Sequence, residues 1–331
     1  MVQLVLNSLK NIYDVELRCF DKIKFQHNNI LHIRLRFEIM SRIGFIGLGN
    51  MGLPMASNIA AEKQHIIHVY DLNKELLKPE LWPDNVVPTS DILQLARHSE
   101  IIITCLPNIS IVQQVYLGNN SILPELKQGT LAIDMSSSDP NLTVELGAAL
   151  HQNGVNLIDA PVSGGVKKAL SGELAILVGS DEADFKKVKP ILSLMGDKII
   201  HTGSLGSGQA CKCLNNLCSA TGLLIVAEAL SLAEKFGVMP ETFIDVLNHS
   251  SGKNNSTENK FPQFILSEKF NSGFRMDLMN KDILTALNLA EAFNVDFSLS
   301  KTSVNKWKRA ETELELGCDH TEIASWQRDL S

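Results

Sequence analysis

Phe45–Ile59 reads FIGLGNMGLPMASNI, and it constrains the fold of this chain more than any other stretch. Gly47, Gly49 and Gly52 stand at G-x-G-x-x-G spacing between an apolar run, Ile43–Ile46, and a helical pattern, Met51–Ala61. A second apolar run, Ile66–Tyr70, follows and ends at Asp71, nineteen residues past Gly52. Glycine spacing alone is weak evidence, but a strand, a tight turn, a helix, a second strand and an acidic residue in this order form a dinucleotide-binding unit. Gly47 permits the turn, Gly49 lets a pyrophosphate approach the backbone, and Gly52 lets helix pack on strand. Unpaired N–H groups at the helix start suit phosphate. The expected cofactor contacts are therefore Gly47, Leu48, Gly49, Asn50, Met51 and Gly52, with Asp71 at the ribose.

Asp71 bears on the choice of dinucleotide. A carboxylate at the end of the second strand accepts both ribose hydroxyls of NAD and repels the extra phosphate of NADP. Leu72 supplies no cation, whereas Lys74 is near enough to reach a phosphate. The balance favours NAD over NADP.

Beyond this unit the strand candidates are Ile101–Cys105, Leu131–Asp134, Leu157–Asp159, Ala175–Val178 and Ile199–His201. Helical patterns such as Ser90–Arg97 and Thr143–Gln152 lie between them, as in βαβ units with a mostly parallel sheet. After His201 the pattern becomes helical. Gln209–Phe236 alone would span roughly 40 Å, enough to bridge domains or pair with a second subunit. The expected α/β organisation is a Rossmann-type domain over 40–202, then an all-helical substrate and dimerisation domain over 203–331. Residues 1–39 differ in character and read as an upstream extension or misassigned start ahead of Met40; the alternative is a terminal arm that packs on a partner subunit. Asp14, Glu16 and Asp21 argue against a transit peptide.

The net charge of −7 favours neither nucleic acid nor an anionic membrane as partner. No window is expected to span a membrane, since the most apolar stretch, Leu217–Ala233, is interrupted by Glu228. The six cysteines form no disulfide framework, which points to the reducing cytoplasm. Cys211, Cys213 and Cys218 read as core or helix-packing thiols, and no metal is expected.

Two further stretches carry chemistry. Asp159-Ala160-Pro161-Val162-Ser163-Gly164-Gly165 reads as a strand end and a turn whose Ser hydroxyl and Gly N–H groups can face one carboxylate. In Gly206–Asn216, Lys212 and Asn216 lie four apart and share a helix face. A lysine near a helix start, among Ala, Cys and Leu, is easier to deprotonate, as a general base must be.

With these motifs the chain resembles the β-hydroxyacid dehydrogenases, 3-hydroxyisobutyrate dehydrogenase in particular, from about Ser41 to Trp326. The resemblance implies that Ser163, Gly164 and Gly165 hold the substrate carboxylate, that Lys212 is the catalytic acid/base and that Asn216 orients the substrate. A fourth motif, Phe274–Asp282, fits the family's F-x-x-x-L-M-x-K-D, which implies that Lys281 closes the site over NAD; Asp282 is expected to tie helices together. Leu106-Pro107 matches the family's element where the cofactor crosses the sheet edge, and Ser136-Ser137 matches one near the nicotinamide, with Ser137 at a position often Thr.

Within this resemblance the expected reaction is NAD-dependent oxidation of a short 3-hydroxy acid to its semialdehyde. Reduction of tartronate semialdehyde, succinic semialdehyde or glyoxylate is the alternative, and a non-catalytic NAD-binding scaffold is the remote one. Asn215 in place of a histidine argues against 6-phosphogluconate dehydrogenase, and the lysine itself argues against imine reductases. Ser250–Asn255 is expected to line the substituent pocket, with Lys253 either reading a second acid group or solvated. A homodimer or homotetramer follows from the resemblance and the long helix.

Overall fold

The computed structural model describes residues 41–330, so the expectations for 1–39 lie outside the described residues. The first half is a nine-stranded sheet built from β1 (Arg42–Ile46), β2 (Ile66–Tyr70), β3 (Val86–Pro88), β4 (Ile101–Thr104), β5 (Leu131–Asp134), β6 (Asn156–Asp159), β7 (Val162–Ser163), β8 (Leu174–Gly179) and β9 (Gly196–Gly203). The strand order is β3-β2-β1-β4-β5-β6-β8-β7, with β9 also paired to β8. Pairing is parallel from β3 through β6 and between β8 and β9, and antiparallel where β8 meets β6 and β7.

The inner strands are unbroken apolar runs because both of their faces are covered. Alternate residues enter opposite cores: Ile43, Phe45, Ile101, Ile103, Leu131 and Ile133 face one layer, while Ile46, Ile102 and Ala132 face the other. The first layer includes α1 (Gly52–Ala61), α5 (Gly165–Ser171) and α6 (Glu182–Leu192). The second includes α2 (Ile92–His98), α3 (Ile109–Leu117) and α4 (Pro140–His151). Side chains of Asp91, Asn108, Asp139 and Asp181 cap α2, α3, α4 and α6, closing N–H groups that these helix starts would otherwise leave unpaired.

The remaining helices are α7 (Ser207–Phe236), α8 (Pro240–Asn248), a π-helical segment (Ser256–Ile265), α9 (Met276–Ala292), α10 (Ser298–Glu313) and α11 (Ile323–Asp329). They share a third core containing Leu217, Leu223, Phe261, Ile283, Trp307 and Trp326. The early part of α7 lies against β6, β8 and β9, and its length packs against α8, α9, α10 and α11. It therefore bridges the sheet and the helical core.

Two expectations about this helix need correction. On length and composition α7 does qualify as a membrane-crossing helix, contrary to the sequence reading, and half of its most apolar window is buried inside the protein. Of its three cysteines only Cys213 packs in the core; Cys211 and Cys218 are exposed.

Candidate active site

The strand order reverses between the parallel neighbours β1 and β4, since the chain proceeds from β1 outward to β2 and β3 on one side and then from β4 to β5 and β6 on the other. Loops at the carboxyl ends of those two strands diverge there and leave a crevice, the usual ligand position in such sheets. Gly47, just after β1, has φ +96° and donates its N–H to Tyr70 O at 2.9 Å. A Cβ on Gly47 would stand 2.3 Å from Cys105 O, and one on Gly52 would stand 1.9 Å from Gly47 O. Both glycines are thus required by the protein's own packing. Gly49 differs: its φ is ordinary and a Cβ there would meet nothing within 4 Å.

The side chain of Met51 does not cap α1, and Gly49 and Asn50 are exposed. An open approach over Gly49 toward an uncapped helix start suits a pyrophosphate, so this turn fits a dinucleotide. Leu48 is placed differently: its side chain is buried in the core and its N–H donates to Asp71 Oδ2 at 2.6 Å. Asp71 also accepts from Asn73 N at 2.7 Å. Its carboxylate is held at the end of β2 with further lone pairs available, while Leu72 beside it is exposed.

The ends of β4, β5 and β6 carry a buried polar network. Asp134 is buried and accepts from Thr104 Oγ1 at 2.8 Å, Ser136 Oγ at 2.6 Å and Ser138 Oγ at 3.2 Å. Burial pushes its carboxyl above the usual range, against those hydrogen bonds. Ser136 Oγ also accepts from Leu106 N at 2.9 Å, which ties the turn after β4 to β5. Asp159 pairs in register with Asp134 on the neighbouring strand. It accepts from Gly206 N and Gln209 N, each at 2.7 Å, so it caps the start of α7. Burial pushes Asp159 up to about 7, with those two N–H groups acting in the opposite direction.

Gln209 completes the attachment of α7. Its Nε2 donates to Ser136 O at 2.8 Å and its Oε1 accepts from Ser138 N at 2.9 Å. Gly208 permits the close approach, since a Cβ there would lie 2.4 Å from Leu177 O.

Lys212 stands one turn further along and is 9% exposed. Burial holds its amine below the ordinary lysine range; Lys281 pushes the same way and the Asp282 carboxylate opposes both. Asp282 Oδ2 accepts from Asn216 Nδ2 at 2.6 Å, and its Oδ1 accepts from Ser137 Oγ at 2.7 Å. Lys281 Nζ donates to Ser137 O at 2.8 Å and to Pro107 O at 3.4 Å. The fourth motif thus reaches from α9 to the loops after β4 and β5. It gathers Ser137, Asn216, Lys281 and Lys212 around the Asp282 carboxylate, and Lys281 reaches on to Pro107.

Ser163 ends β7, Gly165 begins α5 and Gly164 joins them, all half-buried or exposed, with φ +138° at Gly164 and +71° at Gly165. No side chain caps α5. Among the described residues no hydrogen bond joins this turn to the Lys212 cluster; its link to the site is the pairing of β7 with β8, on which α7 rests. Lys253 forms an ion pair with Glu258 at 2.7 Å. The position of Asp282 beside the lysine was not anticipated from sequence, although its place one residue after Lys281 offered a signal.

A family model described as the NAD binding domain of 6-phosphogluconate dehydrogenase matches residues 42–203. A second, described as NAD-binding of NADP-dependent 3-hydroxyisobutyrate dehydrogenase, matches residues 206–327. The 2-(hydroxymethyl)glutarate dehydrogenase of Eubacterium barkeri is 39% identical over 78% of this chain and 85% of its own length. The chain belongs to the β-hydroxyacid dehydrogenase family. It is an NAD(P)-dependent oxidoreductase acting on CH–OH groups. The 3-hydroxyisobutyrate dehydrogenase of Pseudomonas aeruginosa is 34% identical over 87% of this chain and 99% of its own. A structure of the Mycobacterium tuberculosis family member with L-serine superposes with a TM-score of 0.80 at 30% identity, covering 88% of this chain and all of that one. The Rossmann-type sheet followed by a helical region, expected from sequence, is the architecture found.

Proposed function

We propose that the protein oxidises a short 3-hydroxy acid to its semialdehyde with NAD, with Lys212 as general acid/base. The observation that carries this reading is the burial of Lys212 beside Asp282, which is itself tied to Asn216 on one side and Ser137 on the other. An amine held below its ordinary pKa reaches the neutral form that accepts a proton. Lys212 Nζ takes the substrate hydroxyl proton as the C–O bond becomes a carbonyl; in the reverse direction its ammonium returns that proton. A nicotinamide dinucleotide held by the Gly47–Gly52 turn and Asp71 would supply the acceptor for the hydride that leaves the same carbon. Asn216, fixed by Asp282, orients the oxygen toward Lys212. Ser163 with the N–H groups of Gly164 and Gly165 holds the substrate carboxylate, and Lys281 secures the loops after β4 and β5 over the cofactor.

NAD is the proposed dinucleotide, because Asp71 ends β2 with a carboxylate and Leu72 follows it. The name of the second family model, which specifies NADP, is the reason to test both. The name of the E. barkeri relative supports a second substrate reading, a hydroxy acid with two carboxylates. A homo-oligomer also fits: the exposed face of α7 presents Cys211, Leu214, Cys218, Ile225, Leu232 and Phe236 at spacings of three, four and seven. The free cysteines among the described residues fit a reducing compartment such as the cytoplasm.

The test is nicotinamide absorbance with NAD and with NADP over a panel of short hydroxy acids, including 3-hydroxyisobutyrate and 2-(hydroxymethyl)glutarate. Reduction of NAD with one of these acids is the expected result. No turnover with any acid and either dinucleotide, while NADH still binds, would refute the dehydrogenase reading.

A further inference from the structure

Beyond the Lys212 cluster, the π-helical segment Ser256–Ile265 places a second lysine against α7. Lys260 Nζ donates to Ser219 Oγ at 2.9 Å. Ser219 lies seven residues past Lys212 and three past Asn216, so all three occupy one face of the helix. At about 1.5 Å per residue, Ser219 stands roughly 10 Å beyond Lys212 along the axis. Lys260 is half-buried, and among the described residues no carboxylate approaches its Nζ within 4 Å.

The nearby acid, Asp319, is engaged elsewhere. It accepts from Ser272 Oγ at 2.8 and 2.9 Å, from Gly273 N at 2.9 Å and from Thr321 Oγ1 at 2.6 Å. His320, buried beside it, hydrogen-bonds through Nδ1 to Ser272 Oγ and Phe274 O, each at 3.0 Å. Burial pushes the Lys260 amine down to about 8, with Asp319 opposing. A withdrawn ammonium whose side-chain partner is a neutral hydroxyl retains donors suited to an anion.

We infer that Lys260 is a specificity-determining residue that binds a second carboxylate of the substrate, so that the protein prefers hydroxy dicarboxylic acids to their monocarboxylic counterparts. The inference rests on the dehydrogenase reading above. Its geometry follows from α7: one acid group sits at the Ser163 turn, the hydroxyl at Lys212, and the second acid group reaches toward Ser219, about two turns along the same face. The nearer candidate on the sequence, Lys253, is already paired with Glu258. Lys260 packs from its own segment against the α7 face that carries Lys212, and among the described residues it makes no such pair.

The experiment compares wild type, Lys260→Met and Lys260→Arg on 2-(hydroxymethyl)glutarate and 3-hydroxyisobutyrate, with melting temperature as a check on folding. Wild type is expected to favour the dicarboxylate. Lys260→Met is expected to lose about thirtyfold in kcat/KM on the dicarboxylate, mostly through KM, as for loss of one charge-assisted contact. It should leave the monocarboxylate unchanged, and Lys260→Arg should recover part of the loss. Because Lys260→Met removes a buried amine and can fail to fold, inhibition of wild type by glutarate and by butyrate provides a second measurement, and glutarate is expected to inhibit more strongly. Equal loss on both substrates, no loss on either, or equal inhibition by the two acids would overturn the assignment. Wild-type turnover of the monocarboxylate alone would overturn it while leaving the dehydrogenase reading intact. Absence of turnover with both would overturn this assignment, and absence across the whole panel would remove the dehydrogenase reading with it.

Discussion

Gly49 and Gly52 belong to the same motif, yet the structure gives them opposite jobs, and alanine at each position separates the two. A Cβ at Gly52 would sit 1.9 Å from Gly47 O. Carbon and oxygen approach comfortably to about 3.3 Å, so α1 must retreat by more than an ångström from the strand it packs on. Overpacking of that kind costs about 1–3 kcal/mol or more. At roughly 2–4 °C per kcal/mol for a chain of this size, Gly52→Ala should melt about 3–10 °C lower. At Gly49 the added methyl meets nothing within 4 Å and φ is ordinary. Gly49→Ala should therefore melt at the wild-type temperature or about 1–3 °C higher, since alanine restricts the unfolded chain.

The ranking reverses for cofactor. If the pyrophosphate crosses the open space over Gly49, a methyl there pushes it off the α1 N–H groups. Loss of one charge-assisted hydrogen bond weakens binding about tenfold or more. Differential scanning fluorimetry gives the melting temperatures, and NADH fluorescence titration gives the dissociation constants. Wild-type NADH affinity in Gly49→Ala would place the pyrophosphate elsewhere. Wild-type stability in Gly52→Ala would refute the close helix–strand approach.

Lys212→Ala should bind NADH within about twofold of wild type and lose about a hundredfold or more in kcat, as for a lost acid/base; near-normal turnover in a steady-state assay would refute the assignment. Asp282→Asn removes the charge that raises the Lys212 pKa, so the rising limb of kcat/KM against pH for oxidation should move to lower pH, with about ten- to hundredfold lower kcat from misplacement of Asn216; an unmoved limb counts against the coupling. Asp159, raised to about 7 against about 3.9 in the unfolded chain, stabilises fully below pH 4. That contribution is lost as pH rises toward 7, at up to about 1.4 kcal/mol per unit. Urea midpoints should fall between about pH 4 and 7, and Asp159→Asn should flatten that slope; an unchanged slope refutes it. Asp71→Arg should shift preference toward NADP but also lower stability, because the backbone N–H groups of Leu48 and Asn73 lose their acceptor; retention of the wild-type NAD preference in kinetic assays would remove Asp71 from the ribose.

What the sequence disclosed follows from how strongly each element is written locally. The inner strands appear as apolar runs because parallel strands are covered on both faces, and the expected Ile66–Tyr70 and Leu131–Asp134 match β2 and β5 to the residue. The helix expected at Thr143–Gln152 instead begins at Pro140, where Asp139 caps the first turn and proline occupies N1; that signal was present and unused. β3 and β7 were not legible, since three and two residues make no run, and Pro88 reads as a break although an edge strand tolerates it. The motifs named candidate residues such as Lys212 and Lys281 but not the partners those residues meet. Asp282 meets Ser137 across 145 residues, and Lys260 meets Ser219 across 41, contacts that only tertiary packing creates.

The positions of the two buried carboxylates explain how a helix outside the sheet carries a residue so well registered to it. Asp134 and Asp159 end adjacent strands side by side. Asp134 binds Ser136 and Ser138, which are in turn clasped by Gln209, while Asp159 binds the N–H groups of Gly206 and Gln209. The first turn of α7 is therefore fixed to two strand ends by groups with no competing solvent. Lys212 follows three residues after Gln209, too close for the helix to bend in between. From the other side, Lys281 and Asp282 fix α9 to the loop containing Ser137. Two anchors from different helices thus meet on the same strand-end loop, next to the buried Lys212. Relative motion of sheet and helices at this point would have to break buried hydrogen bonds at both anchors, so Lys212 keeps its register to the strand ends.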